Sequence, residues 1–199
     1  MTLSNGLLNS LNTSEELLVQ LLMRDVNEIF GTMVGLEGLL HLPEQIDPVT
    51  EATLFVADHA AHLAKIIRPA LAEGKLVISD RYSDSRYAYQ AVTLTGVIPD
   101  PEQWLRAMHN GWSIVPDKTF LCILPVDEAL ARLKPQSARE HFENRDVLEK
   151  VQQNYLSFAR AEPSRFVIID AMKEKDEIAV FVADSIRQIL QLSRSRRRR

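Results

Sequence analysis

The chain lacks the features that mark secreted, disulfide-bonded and membrane-spanning proteins. Its 199 residues include one cysteine, Cys122, so an intramolecular disulfide framework is excluded. No apolar run approaches the roughly 18 residues that a membrane-spanning helix needs. The opening segment, MTLSNGLLNS, lacks the basic region that begins a signal peptide. We therefore expect a cytoplasmic domain with no membrane partner, and we expect Cys122 to be buried as a small apolar residue.

The chain has an excess of positive charge only at its C-terminal end. The net charge is −4, and the final segment RSRRRR holds five arginines, which leaves −9 for the rest. An acidic body does not favour a nucleic-acid partner, because nucleic-acid phosphates bind a basic face. We expect residues 193–199 to form a basic, disordered tail. A nucleic-acid arm or a targeting patch is the alternative for this segment.

Continuous apolar runs predict three strands that are covered on both faces. The runs are KLVISD (75–80), KTFLCILPV (118–126) and RFVIIDA (165–171). Apolar residues at helical spacing predict helices between and after them, over 49–67, 139–162 and 174–192. Strands that alternate with helices indicate an α/β fold, with a parallel sheet flanked by helices.

The first 46 residues have a different pattern. The segment NTSEELLVQLL (12–22) predicts a helix, with Thr13 or Ser14 as the N-cap, and we find no convincing strand before Leu76. We therefore divide the chain into an atypical N-terminal segment (1–46), one α/β domain (47–192) and the basic tail.

The stretch LVISDRYSDSRYAYQ (76–90) carries the clearest functional signal. In a parallel sheet, ligands bind where strands end, and Asp80 and Arg81 emerge at that point. An aspartate there can hold hydrated Mg²⁺, and the planar arginine fork fits phosphate oxygens. The residues that follow offer hydrogen-bonding and stacking groups for a small polar ring: Ser85, Tyr89 and Gln90. On the residues alone, Asp80 as a helix cap and Arg81 as a surface ion-pair partner remain an alternative.

The segment ISDRYSDSRYAYQ is similar to the motif D-R-[YFH]-x-x-S-x-x-A-[YF]-Q of the thymidylate kinase family. Three further segments resemble that family in the same order: TEATLFVADHAAHLAKIIRPALAEGKLVISDRY, VPDKTFLCILPVDEALARL and RFVIIDA. Over about residues 47–190, the chain therefore resembles an archaeal-like member of this family. The resemblance implies a nucleoside monophosphate kinase fold of the P-loop NTPase type. It also implies a transfer of phosphate from ATP to dTMP with Mg²⁺, which serves dTTP biosynthesis.

The resemblance also implies roles for residues on the dTMP side. Phe55 would stack on the thymine ring, and Ser85, Tyr89 and Gln90 would line the nucleoside pocket. Arg81 would bind the acceptor phosphate, and Asp80 would lie near the metal and the reacting phosphates. His59 stands where the family has a base-contacting arginine, which leaves base selectivity open. An exposed helix residue is the alternative for His59.

On the ATP side, the resemblance implies two further groups of residues. The segment ARLKPQSAREHFE (131–143) corresponds to the family's lid. There Arg139, with Arg132 or Lys134, would reach the transferring phosphoryl group. Asp170 and Ala171, after the last strand, would lie near the adenine of ATP. The family commonly forms homodimers, for which helix 49–67 offers a surface.

The phosphate loop G-x-x-x-x-G-K-[ST], which should end the first strand, is missing. The single Gly-Lys pair, Gly74-Lys75, is followed by Leu76. The segment NEIFGTMVG (27–35) is a degraded copy of the next family motif, R-E-P-G-G-T-P-I-G, or a chance match. Three explanations stay open: a damaged or misassigned N-terminal region, a genuine pseudo-kinase, or an ATP-binding loop of another kind.

If the strand that should carry the phosphate loop is missing as well, both the fold and the activity are affected. Because the family places it at the centre of a five-stranded sheet, we expect strands 76–80, 119–124 and 166–170 to be incompletely joined, or the chain to be weakly stable. We expect an impaired kinase. The alternative is a non-catalytic protein that binds nucleoside monophosphates, or a partner subunit of an intact homologue.

Overall fold

The computed structural model of the chain describes residues 20–22, 46–132 and 144–196. Within these ranges the strands are β1 (Gln20–Leu22), β2 (Val77–Ser79), β3 (Thr119–Ile123) and β4 (Phe166–Asp170). The helices are α1 (Pro48–His62), α2 (Arg68–Ala72), α3 (Ser83–Thr93), α4 (Pro101–His109), α5 (Val126–Arg132), α6 (Arg145–Ala161) and α7 (Lys175–Arg196). No helix in the described part is both long and apolar enough to cross a membrane.

The strands form two parallel pairs. β1 pairs with β2, in a register that sets Gln20 beside Val77, and β3 pairs with β4, with Thr119 beside Phe166. Among the described residues, no strand pairing joins β2 to β3. The predicted α/β fold with parallel strands is confirmed. The incompletely joined sheet stays a prediction, because residues 1–19 and 23–45 lie outside the described ranges.

The N-terminal segment contains a strand that the sequence did not reveal. The prediction of a helix over 12–22, with no strand before Leu76, is wrong at residues 20–22, which pair with β2. The remainder of that predicted helix lies outside the described residues. Backbone pairing with an open strand edge outweighs the helix propensity of a leucine-rich segment, because propensity is a weak preference that tertiary contacts override.

The predicted helix 49–67 begins at Pro48 and is interrupted near its end. Asp47 caps it, since its Oδ1 accepts hydrogen bonds from the backbone N–H groups of Val49 (3.0 Å) and Thr50 (2.9 Å). A π-helical turn (Leu63–Ile67) then joins α1 to α2. The turn ends two residues before Pro69, whose ring would crowd the carbonyl of Lys65 in a regular helix. The disruption that a proline causes in a regular helix takes the form of a widened turn here.

Helix α7 connects the two strand pairs through side chains. Its Ala183 and Ile186 pack against Ile78 of β2 and against Phe120 of β3. Other side chains of these strands pack elsewhere. Leu121 of β3 belongs to the main core described below, and Val77 of β2 packs against the π-helical turn. β2 and β3 thus contribute to one layer beneath α7, although their backbones are not paired.

The main core lies between α1, α3, α4, α6 and the β3–β4 pair. It includes Ala88 and Leu105, both fully buried, together with Val151 and Phe158 from the predicted apolar stripe of α6. Helix α6 begins at Arg145 rather than at 139, with Asn144 as its N-cap. Residues 139–143 lie outside the described ranges. This core fixes α3, and therefore the residues that follow β2.

Candidate active site

The residues predicted around the end of β2 line one cavity. Its volume is about 890 Å³, and Asp80, Arg81, Ser85 and Tyr89 all contribute to its wall. Ser85 and Tyr89 lie one helical turn apart on α3, so they present side chains on the same face. The structure therefore brings together four of the predicted site residues.

The backbone of Arg81 is held in a conformation that L-residues rarely adopt. Its φ of 62° lies in the left-handed region, and it is the one non-glycine residue of the described ranges with positive φ. The Ser79 hydroxyl donates to the Arg81 carbonyl at 2.7 Å, and the guanidinium lies 4.9 Å from the centre of the Tyr89 ring. Such strain costs about 1–2 kcal/mol and clusters at functional sites. This conformation turns Arg81 into the cavity at the strand end.

Tyr155 of α6 completes the wall opposite Arg81. The Ser85 and Tyr155 hydroxyl oxygens are 2.7 Å apart, and the Tyr89 and Tyr155 rings meet edge to face at 6.5 Å. Burial raises the pKa of Tyr155 to about 12, so the phenol stays protonated at neutral pH. The sequence indicated Tyr155 only as part of an apolar stripe. A tyrosine on a buried helix face, where the hydroxyl needs a partner, is the signal that could have identified it.

A buried ion-pair network that the sequence did not indicate supports the start of α3. The Arg165 guanidinium contacts both carboxylate oxygens of Asp84, at 2.6 and 2.9 Å. It also bonds Glu162 at 2.7 Å and the Thr119 hydroxyl at 2.8 Å. Hydrogen bonding from Arg165 lowers the pKa of Glu162. The network ties α3 to the first residues of β3 and β4, and thus positions Ser85 beside them.

His59, Gln90 and Phe55 do not line this cavity. His59 is 0% exposed, its Nε2 lies 3.0 Å from the Ser113 hydroxyl, and its ring packs edge to face on Tyr82. The alternative that it is an exposed helix residue is therefore wrong, because α1 packs against α4 at this point. Gln90 is buried and donates to Glu51 at 3.4 Å. Contacts of His59, Gln90 and Phe55 with a base stay predictions.

Acid is expected to destabilise the fold through His59. Burial, followed by the charge of Arg86, lowers the pKa of His59 to about 3, whereas the unfolded residue titrates near 6.5. Between these two pH values the unfolded chain binds one more proton than the folded chain. The contribution of His59 to the unfolding free energy is therefore at its maximum above pH 6.5 and falls as the pH drops. The slope is about 1.4 kcal/mol per pH unit well below pH 6.5. Urea denaturation of a variant without the Asp58 carboxylate, at a series of pH values, measures it.

Asp58 opposes this effect and supplies the control. Burial raises the pKa of Asp58 to about 6 against the Arg86 charge, so the folded chain binds that proton first. Its contribution increases stability as the pH falls from about 6 to 3.8. The His59 slope should therefore be steep in Asp58→Asn and lost in His59→Gln. Equal slopes in these two variants would contradict the assignment.

The turn after β4 is fixed by backbone contacts. The Asp170 carboxylate accepts from the Met172 N–H at 2.9 Å, and the Ala171 N–H donates to the Ile123 carbonyl at 2.9 Å. Arg132 donates to the Ala171 carbonyl at 3.2 Å, so it points toward this turn. The ATP-side roles of Asp170 and Ala171 stay predictions. Lys134 and Arg139 lie outside the described residues.

Cys122 is exposed, which corrects the expectation that it is buried. It lies on the wall of the cavity. Partial burial against the cavity walls raises the pKa of its thiol, and the Asp80 carboxylate adds to the rise. The end of β2 and the carboxyl half of β3 are therefore close enough to interact electrostatically.

Comparisons with known proteins agree on one family. The family model described as thymidylate kinase matches residues 31–182. The probable thymidylate kinase of Methanoculleus marisnigri is 55% identical over 182 residues, which cover 89% of each chain. That of Methanocorpusculum labreanum is 54% identical over 143 residues, or 72% of each chain. The crystal structure of thymidylate kinase from Ehrlichia chaffeensis matches with a TM-score of 0.56 at 23% identity, over 84% of this chain and 77% of that one.

Proposed function

Because this chain belongs to the thymidylate kinase family, whose members are ATP:dTMP phosphotransferases, we propose that the cavity at the end of β2 binds dTMP. The observation that carries the proposal is Arg81, a strained residue at a strand end whose guanidinium faces the cavity beside Tyr89. A planar cation held in this way fits the phosphate of a nucleoside monophosphate. The archaeal-like resemblance agrees with the archaeal relatives.

The nucleoside would lie along α3. In this arrangement Arg81 binds the acceptor phosphate, while the Ser85–Tyr155 hydroxyl pair and the Tyr89 ring contact the sugar and the base. Phe55, His59 and Gln90 would be reached only after movement of α1 or α3, because the latter two are buried. Packing of the site against the main core limits such movement.

Mg²⁺ would bind with the nucleotides rather than in a preformed cage. In the described ranges, no cluster of three or more His, Cys, Asp or Glu side chains could hold a metal ion. Two exposed carboxylates, Asp80 and Asp117, lie on the cavity wall, and Asp80 is the one directly after β2. This donor set fits Mg²⁺, which commonly takes one or two carboxylates plus phosphates and water. The ion would neutralise phosphate charge, and Asp80 would orient its water shell.

We expect this chain to bind ATP, the phosphate donor, poorly. The phosphate loop binds the donor phosphates through backbone N–H groups and a lysine, and the sequence has no such motif. Asp170, Ala171 and Arg139 would remain as ATP contacts. The family match begins at residue 31, within the atypical segment 1–46. It does not supply the missing loop, so the chain would hold dTMP and transfer phosphate poorly.

Titration calorimetry with dTMP and with ATP tests both halves of this proposal. We expect dTMP to bind with one-to-one stoichiometry and ATP to give no heat. Thymidine, which lacks the phosphate, should bind more weakly because Arg81 then has no anion to contact. A folded chain that binds no dTMP would disprove the site. ATP-dependent dTDP formation well above background would disprove the impairment and leave the dTMP site standing.

A non-catalytic binding protein is the second candidate function. A protein of this kind would bind dTMP in the same way but would not phosphorylate it. It would instead change the activity of an intact homologue. The absence of the phosphate-loop motif from the sequence favours it over an active enzyme. A cytoplasmic location and a homodimer remain expectations from the sequence and the family.

A further inference from the structure

The turn that carries Arg81 is fixed on its strand side by a local contact. There the Ser79 hydroxyl donates to the Arg81 carbonyl at 2.7 Å. On its helix side the turn leads into α3, which begins at Ser83. The N-cap residue, Tyr82, makes no side-chain cap bond, so the first backbone N–H groups of α3 lack the usual local acceptor. The first turn of the helix therefore depends on contacts from elsewhere in the fold.

Those contacts come from the amino-terminal ends of β3 and β4. Asp84, the second residue of α3, is 5% exposed. The Arg165 guanidinium donates to both of its carboxylate oxygens, at 2.6 and 2.9 Å, and the Thr119 hydroxyl donates to one of them at 3.1 Å. A bidentate fork of this kind fixes orientation as well as distance. We call the Asp84–Arg165 pair the clamp, and it anchors the chain three residues after Arg81.

The strained backbone of Arg81 needs such an anchor. A φ of 62° at a non-glycine residue persists only where the surroundings hold it, and here Ser79 holds one side of the turn and the clamp the other. We propose that Asp84 and Arg165 are positioning residues for the phosphate of dTMP, because they keep Arg81 in the conformation that turns its guanidinium into the cavity. The link to dTMP rests on the function proposed above, whereas the control of the Arg81 backbone does not.

A double-mutant cycle in urea tests the clamp without any ligand. In the wild type, Arg81→Gly should raise the transition midpoint, because glycine adopts the left-handed region without strain. Asp84→Leu combined with Arg165→Met removes the clamp and leaves no unpaired carboxylate. In that background residue 81 can relax, so Arg81→Gly should leave the midpoint unchanged or lower it, since glycine makes the unfolded chain more flexible. Equal upward shifts in both backgrounds would overturn the proposal, as would no upward shift in the wild type.

Ligand binding gives a readout that a merely structural role would not change. The ratio of the dissociation constants of thymidine and dTMP isolates the phosphate contact, and in the wild type it should be about 10 to 100. Calorimetry should show that it falls about tenfold in the double variant, although this variant is more stable than Arg165→Met. The clamp is neutral overall, so its removal changes the field on the phosphate little. Arg165→Lys keeps the charge without the fork and should give an intermediate ratio.

Leu105→Ala is the matched control for lost stability. Leu105 is fully buried in the main core and does not line the cavity, so its truncation lowers stability and should leave the ratio unchanged. A ratio that stays at the wild-type value in the double variant, or that falls equally in the control, would overturn the proposal. If the double variant does not fold, an unchanged ratio in Arg165→Lys would do so. A wild type that binds neither ligand would disprove the dTMP site and the role toward phosphate, while the cycle in urea separately decides whether the clamp holds Arg81.

Discussion

Replacing Arg165 by methionine is expected to lower the unfolding free energy of the chain by about 3–5 kcal/mol. Arg165 is 8% exposed, and its guanidinium bonds Asp84, Glu162 and Thr119. Without it, the Asp84 carboxylate would stay buried with no cation beside it. Breaking a buried pair in this way costs about 3–5 kcal/mol, while whole domains have about 5–15 kcal/mol. Urea denaturation followed by circular dichroism measures the loss as a lower transition midpoint.

Two further variants separate the network from general effects of removing an arginine. Arg160→Met acts on an exposed residue of α6 and should change stability by less than about 0.5 kcal/mol. Asp84→Leu combined with Arg165→Met removes both charges, and it should be more stable than Arg165→Met alone, since no unpaired carboxylate remains. A single variant Arg165→Met as stable as Arg160→Met would show that the network contributes little.

Replacing Arg81 by glycine is expected to weaken dTMP binding while making the fold more stable. Loss of a charge-assisted phosphate contact should lower the affinity about 10- to 100-fold. The backbone of residue 81 has a φ of 62°, which glycine adopts without strain, so unfolding should cost about 1 kcal/mol more. Calorimetry with dTMP and urea denaturation of the same preparations measure the two effects.

The lysine variant refines this prediction. Arg81→Lys keeps the charge and the strained backbone but loses the planar fork, so its dTMP affinity should fall between those of the wild type and Arg81→Gly. Its stability should match the wild type. If Arg81→Gly bound dTMP as tightly as the wild type, the phosphate site would lie elsewhere. A less stable glycine variant would contradict the strain argument.

Features with a strong local pattern were predictable from the sequence. β3 and β4 lie within continuous apolar runs because a strand covered on both faces leaves no position for a polar residue. Asp80, Arg81, Ser85 and Tyr89 line one cavity because strand-end geometry and the helical repeat bring together residues close in sequence. The resemblance of this stretch to a family motif then indicated that these four residues bind a nucleoside monophosphate.

Features that depend on distant contacts were not predictable. Asp84 and Arg165 are 81 positions apart, and neither residue has a neighbour in sequence that signals the pair. β1 depends on an edge that β2 offers. His59 is buried because α4 packs over α1. In each case the decisive partner is a separate element of the fold.

The position of α7 determines which parts of the molecule unfold first. Its cluster with Ile78 and Phe120 links the two strand pairs, between which the described residues form no backbone ladder. The β3–β4 pair shares the main core, whereas the β1–β2 pair depends on α7 and on a small cluster around Leu63 and Ile67. Such an arrangement divides the protein into two foldons of unequal stability. Amides of β2 should exchange with solvent through partial openings that leave those of β3 and β4 protected.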